Sequence, residues 1–215
     1  MIDLIPSIPF ILKGILVTLQ FVVASGIAGF IIGVLLAFAK IGKFPLLKRF
    51  ADAYTAFFRG TPLILQLVYV YFVVPEVTGW EIPKLAAGII AFSLNSGAYV
   101  SEIIRAGIQS VDKGQFEAAQ ALNVSYWKSM RKIILPQAIK HILPALMNEY
   151  IMLLKESAVI SVIGAHDIMR RSQIVAADTF NYFGALTIAL IIYFIMVRIL
   201  ETFGAKLEKR LRYSD

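Results

Sequence analysis

The chain has no cysteine among its 215 residues. That excludes a disulfide framework, a thiolate nucleophile and a thiolate metal site. It has only two histidines, His141 and His166, without metal-ligand spacing. It is poor in charge, with 16% Asp, Glu, Lys and Arg against 59% hydrophobic residues. The first residues, MIDLIPSIPFILKGILVTLQ, hold Asp3 and no basic cluster before an overlong apolar run. They do not read as a secretory signal.

What remains is apolar. Mean hydropathy is +0.76. A soluble domain of this size has no use for so much apolar surface, so the composition points to an integral membrane protein. The net charge of +7 then reads as loop charge on the cytoplasmic side rather than as a nucleic-acid surface.

A helix needs about 20 apolar residues to cross a bilayer. Five segments qualify, at about residues 10–39, 51–74, 85–108, 139–164 and 182–203. The prediction is an all-α polytopic protein, one transmembrane domain over residues 1–215. The first span is overlong and must tilt or begin in the interface. It carries a small-xxx-small stripe, Ser25, Gly29 and Gly33, suited to close helix packing. The connection after span one holds Lys40, Lys43, Lys48 and Arg49, whereas the next has Lys84 against Glu76 and Glu81. The third carries Arg105, Lys113, Lys128, Arg131, Lys132 and Lys140; in the fourth, Arg170 and Arg171 are offset by Asp167 and Asp178. The C-terminal residues hold Lys206, Lys209, Arg210 and Arg212. This alternation predicts the N-terminus outside and the C-terminus inside.

The longest polar connection, about residues 109–138, is then cytoplasmic. It reads as two short helices. The first, at 116–122, is ended by Asn123 in a left-handed cap. The second is capped by Ser125, runs through the basic 128–132 segment, and is broken by Pro136. Ala118, Ala119 and Ala121 give the first helix a smooth surface suited to a partner's groove. An amphipathic loop lying on lipid is the plainer reading of the same residues.

The stretch EAAQALNVSYWKSMRKIILP, residues 117–136, resembles the EAA signature of ABC importer permeases. Glu117, Ala118, Ala119, Ile133, Leu135 and Pro136 match, and Asn123 stands where the pattern has glycine. FRGTPLILQL (58–67), LNSGAYVSEIIRAGI (94–108) and LLKESAVISVIG (153–164) look like the polar amino-acid branch of that family. The resemblance implies five helices per subunit in a permease dimer, identical or mixed. It implies a coupling helix at the EAA segment, docked on a dimer of ATP-binding subunits. The chain lacks a GxxxxGK[ST] phosphate loop. ATP and Mg therefore belong to the partner, and this chain is a channel subunit, not an enzyme, with no cofactor of its own. The implied location is the plasma or inner membrane, with an external amino-acid-binding protein delivering cargo.

Polar groups at membrane depth are functional candidates by default. For an amino-acid cargo, Arg59 or a half-helix start capped by Thr61 suits the carboxylate. Glu102 or Glu156 suits the ammonium, with Asn95, Ser96 and Tyr99 beside them. A second carboxylate favours arginine, lysine or histidine, with glutamine as competitor. Structural roles compete at each position. Glu102 and Arg105 have the spacing of a helical ion pair, Arg59 can snorkel to the interface, and Asn148 and Glu149 suit bonds between helices. Arg170 and Arg171 are candidates for pairing with the binding protein. A self-sufficient secondary transporter or channel is the alternative function, and it leaves the EAA block unexplained. No spacing assembles an enzyme's nucleophile and base.

Overall fold

The computed structural model describes residues 4–212, with side chains as far as residue 209. All its regular structure is helical. After a 3-10 turn, Ile5–Ser7, helix α1 runs Ile8–Ile41 and stops where Gly42 turns extended. Its 34 residues span about 51 Å at 1.5 Å per residue, well beyond a hydrocarbon core of about 30 Å. Helices α2 (Pro45–Gly60), α3 (Leu63–Val68) and α4 (Val74–Thr78) follow, with a π-helical turn at Tyr69–Val73. Helix α5 is Lys84–Gln109. The polar connection forms α6 (Lys113–Ala121) and α7 (Tyr126–Ser129). A π-helical turn, Met130–Ile134, leads into α8 (Leu135–Glu156) and a 3-10 segment, Ser157–Ile163. Helices α9 (Ile168–Thr179) and α10 (Tyr182–Arg212) complete the fold.

Among the described residues, three stretches are long and apolar enough to cross a membrane: Ile5–Ile41, Lys84–Gln109 and Tyr182–Lys209. A fourth candidate is the pair Pro45–Gly60 and Leu63–Thr78, bent by 102°. The span expected at 51–74 is thus not one straight helix. Pro62 supplies no N–H and disfavours helical geometry at Thr61, whose ψ is 148°. Thr61 does not cap α3 as predicted. Its hydroxyl donates back to the Phe57 carbonyl at 2.9 Å, and α3 starts with no side-chain cap. Residues 139–164 are helical, but Lys140, His141, Asn148, Glu149, Lys155 and Glu156 make the region too polar to count on apolarity alone.

Pro136 also behaves differently from expectation. It breaks nothing. It sits in the first turn of α8, directly after the π-helical turn. The wider turn moves the backbone bonding by one residue, so the Leu135 N–H reaches the Met130 carbonyl. A proline is tolerated in a first turn, where its missing N–H has no helical partner anyway.

Helix α1 packs along α5 through its small residues. A methyl on Gly29 would meet the Ser96 side chain at 3.0 Å, and one on Gly33 would overlap Val100 at 2.5 Å. Apolar burial drives little association in lipid, so close backbone approach takes its place. Phe21 and Phe92 meet edge to face at 4.7 Å in the core between these helices. The opposite face of α1, including Leu12, Leu16, Leu19, Val23, Ile27 and Ile31, is exposed and mostly apolar, with Lys13 and Gln20 as its polar members. A lipid-facing wall has this composition.

Candidate functional site

The charges that the sequence scattered along three segments converge. The buried Lys40 ammonium, at the end of α1, donates to Thr55 Oγ1 (2.8 Å) on α2 and to Glu102 Oε1 on α5. Asp52 lies 3.7 Å from it. Arg105 grips the other oxygen of Glu102 with Nε (3.1 Å) and Nη2 (2.6 Å), one turn along α5. Arg59 approaches the same oxygen at 3.8 Å and lies 5.3 Å over the Tyr99 ring. The Lys40 side chain is 2% exposed, Glu102 20% and Arg59 44%. The helical ion pair predicted for Glu102 and Arg105 is present. Three cations surround this one carboxylate, which is therefore already neutralised within the chain. Arg59 is the loosest and most open of the three cations.

The bend between α2 and α3 is stitched by two buried amides. Gln66 Nε2 donates to the Phe58 carbonyl (2.9 Å), the Thr61 carbonyl (3.1 Å) and Thr61 Oγ1 (2.8 Å). Asn95 Nδ2 donates to the same Phe58 carbonyl (2.9 Å) and to Gln66 Oε1 (3.1 Å). A broken helix in lipid must find partners for its freed carbonyls. Asn95, a predicted cargo contact, satisfies this break.

The next residue of α5, Ser96, faces α8. Its hydroxyl donates to Glu149 Oε1 at 2.8 Å. Glu156 stands seven residues further along α8, on the same side. Neither carboxylate has an ion-pair partner among the described residues. Tyr99 is exposed at 38% beside Arg59. The structure thus brings Arg59, Tyr99 and Glu102 together in one group, and Ser96 with Glu149 in another.

The first helix of the polar connection takes the shape its residues predict, whereas the second runs on through the π-helical turn into α8. Asn123 adopts φ 56°, the left-handed conformation that ends α6. Ser125 stands at the start of α7 but makes no side-chain cap there. Instead Asp112 caps α6, accepting from the Gly114 N–H at 2.7 Å. Glu117, Ala118 and Ala121 are exposed, whereas Ala119 is buried. Leu122, Tyr126 and Trp127 also stand exposed. Ile133 and Leu135 pack beside buried Met130 and Ile134, and Pro136 is exposed. The exposed part of the signature is therefore Glu117, Ala118, Asn123 and Pro136, whereas Ala119 is buried and Ile133 and Leu135 pack against the cluster shared by α5 and α8.

At the opposite end, Arg171 is tied inward. It donates to the carbonyls of His166 (3.0 Å) and Phe10 (3.3 Å) and lies 4.7 Å over the Phe10 ring. It fastens α9 to the start of α1.

Two positions escaped the sequence reading. Lys40 reads as loop charge because it closes an apolar run. Gln66 sits unmarked inside an apolar segment, although a lone amide at membrane depth is a legible signal. Glu149, expected to bond between helices, does so with Ser96.

Residues 29–213 match the family described as binding-protein-dependent transport system inner membrane component. The chain belongs to this family. It is 52% identical to the arginine transport system permease protein of Bacillus subtilis, over 98% of this chain and 96% of that one. It is also 52% identical to a putative glutamine transport system permease protein of Rickettsia bellii, over 97% and 96%. Its fold superposes on a chain from the crystal structure of an amino acid ABC transporter with histidines at a TM-score of 0.93, with 40% identity and 98% and 99% coverage. The protein is an amino-acid ABC transporter permease subunit.

Proposed function

We propose that the chain is the membrane-spanning subunit of an ATP-driven importer for a cationic L-amino acid: arginine, lysine or histidine. One observation carries the cargo class. Within the described residues of this chain, Glu149 and Glu156 share a side of α8 and have no ion-pair partner, while Glu102 is surrounded by three cations. Carboxylates held at membrane depth without partners are costly, and a cargo bearing two cationic groups offsets that cost. Ser96 orients Glu149. Arg59, exposed beside Tyr99, suits the cargo carboxylate. Asn95 and Glu102 hold the helices that carry these groups. The relatives leave the cargo open, since arginine and glutamine permeases are equally similar at 52%.

The remaining parts follow the family. Five spans, counting 139–164, place the N-terminus outside and the C-terminus inside the plasma or inner membrane. The alternation of loop charge supports this orientation. The α6–α7 segment then lies in the cytoplasm as the coupling helix on a dimer of ATP-binding subunits, which hold ATP and Mg. A second permease subunit completes the pathway, and an external binding protein delivers the cargo.

The test is ATP hydrolysis in liposomes holding the chain with its co-purifying ATPase and binding protein. Arginine, lysine or histidine should stimulate hydrolysis more than glutamine or glutamate. Equal or greater stimulation by glutamine overturns the cationic assignment. Amino-acid flux with no ATPase present overturns the importer itself.

A further inference from the structure

Helix α8 presents one face that nothing in the chain covers. His141, Asn148, Met152 and Lys155 are all exposed. At 100° per residue they fall within an arc of roughly 60°. The exposed face of α1 is apolar apart from Lys13 and Gln20, as suits lipid contact. The exposed face of α8 is predominantly polar. It holds an imidazole, an amide, a thioether and an ammonium within the membrane segment. Polar groups at that depth turn to other helices or to a water-filled cavity, not to hydrocarbon. Lys155 has no hydrogen bond or ion pair among the described residues. It cannot pair with Glu156, because consecutive helix residues point apart.

We propose that the stripe His141–Asn148–Met152–Lys155 is the seam against a second copy of this chain, with Lys155 of each protomer paired to Glu156 of the partner subunit. The pattern is self-complementary. A twofold axis along the membrane normal sets two copies of α8 side by side at equal height. Lys155 then differs in height from the facing Glu156 of the partner subunit by only about 1.5 Å. Two ammonium and two carboxylate groups alternate around the axis, and each separates its like charges. The cargo's cation takes the place of Lys155 at Glu156 when the pathway loads. Small Ala145 and polar Asn148 allow close approach along the same seam.

The inference takes the neighbour to be a second permease copy, and so rests on the importer reading. Cross-linking keeps the two separable. The chain has no cysteine, so single cysteines report without background. Met152→Cys leaves every charge in place. In membranes holding the complete transporter it should form a covalent permease dimer on oxidation, whereas Leu16→Cys on the apolar face of α1 should not. In detergent, Lys155→Glu and Glu156→Lys should each reduce the dimer fraction, and the double variant in one chain should restore it. Cross-linking at Leu16→Cys but not at Met152→Cys overturns the seam. A double variant no better than the singles overturns the ion pair. If Met152→Cys cross-links but no amino acid stimulates hydrolysis, the seam stands and the importer reading falls.

Discussion

Ser96 donates its hydroxyl proton to Glu149 across 2.8 Å, joining α5 to α8. The bond aims one carboxylate oxygen and leaves the other free. If that free oxygen receives the cargo's cation, Glu149→Gln should raise the half-saturating arginine concentration by tenfold or more, or about 1.4 kcal/mol. Glutamine, which lacks the second cation, should be affected far less. Ser96→Ala removes orientation but not charge, so its effect should be a few-fold. Arginine- and glutamine-stimulated ATP hydrolysis in liposomes measures both. Equal losses for the two cargoes would reduce Glu149 to a bond between helices.

Glu102 plays the opposite part. Its charge is matched by Lys40 and Arg105, and it joins the ends of α1 and α2 to α5. Removing one partner of a buried pair strands the other. Glu102→Gln removes the counter-charge of Lys40, which keeps hydrogen-bond acceptors in Thr55 and the amide oxygen but only the more distant Asp52 as a counter-ion. The loss should be on the order of 3 kcal/mol. It should be read as a lower Tm in detergent with cargo preference unchanged. A variant with native Tm but altered preference would place Glu102 in the cargo site.

The coupling segment distinguishes its two central alanines. Ala118 is exposed and Ala119 is packed against the protein. Ala118→Arg should release the ATPase subunit on purification while leaving the helices folded. Ala119→Arg should disturb α6 itself, with a fall in Tm as well as in ATPase recovery. Recovery of ATPase at native levels with Ala118→Arg would remove this face from the interface. Asn123 offers a backbone test. At φ 56° glycine is free of the left-handed penalty of about 1–2 kcal/mol. Asn123→Gly should therefore keep or slightly raise Tm, whereas Asn123→Val should lower it and loosen the docked subunit.

Much of this was legible in the chain because membrane physics writes strong signals. The 34 residues of α1, the stripe of Gly29 and Gly33, and the left-handed Asn123 each follow from a local rule. So does the Glu102–Arg105 pair, three residues apart on one helix. What was hidden depends on contacts far apart in sequence. Lys40 and Glu102 are 62 residues apart, and Ser96 and Glu149 are 53. No periodicity reveals which distant side chain completes such a pair. Pro62 and Pro136 show a second limit. Proline inside a helical pattern reads as a break at both positions, yet only Pro62 is one, because a π-helical turn ahead of Pro136 absorbs the missing N–H. That choice is made by packing of Met130 and Ile134 against α5 and α8, not by the proline.

Asp167 supplies a prediction in pH. It is fully buried, accepts from the Arg170 N–H at 2.8 Å to cap α9, and accepts from the Tyr193 hydroxyl at 3.2 Å. Burial outweighs these bonds and raises its pKa from 3.8 to about 6. The unfolded chain therefore loses this proton at lower pH than the folded one. The sign follows from proton linkage: where the folded state binds more protons, stability falls as pH rises. The fall should begin near pH 4, end just above pH 6, and total on the order of 2–3 kcal/mol. Asp167→Asn keeps an oxygen for the α9 cap and has no proton to lose. Its Tm should be flat across this window and higher than the parent's at pH 7. Thermal unfolding in detergent at a series of pH values measures the difference. If parent and variant run parallel from pH 4 to 7, the carboxyl ionises as easily inside the protein as outside it, and the burial argument fails.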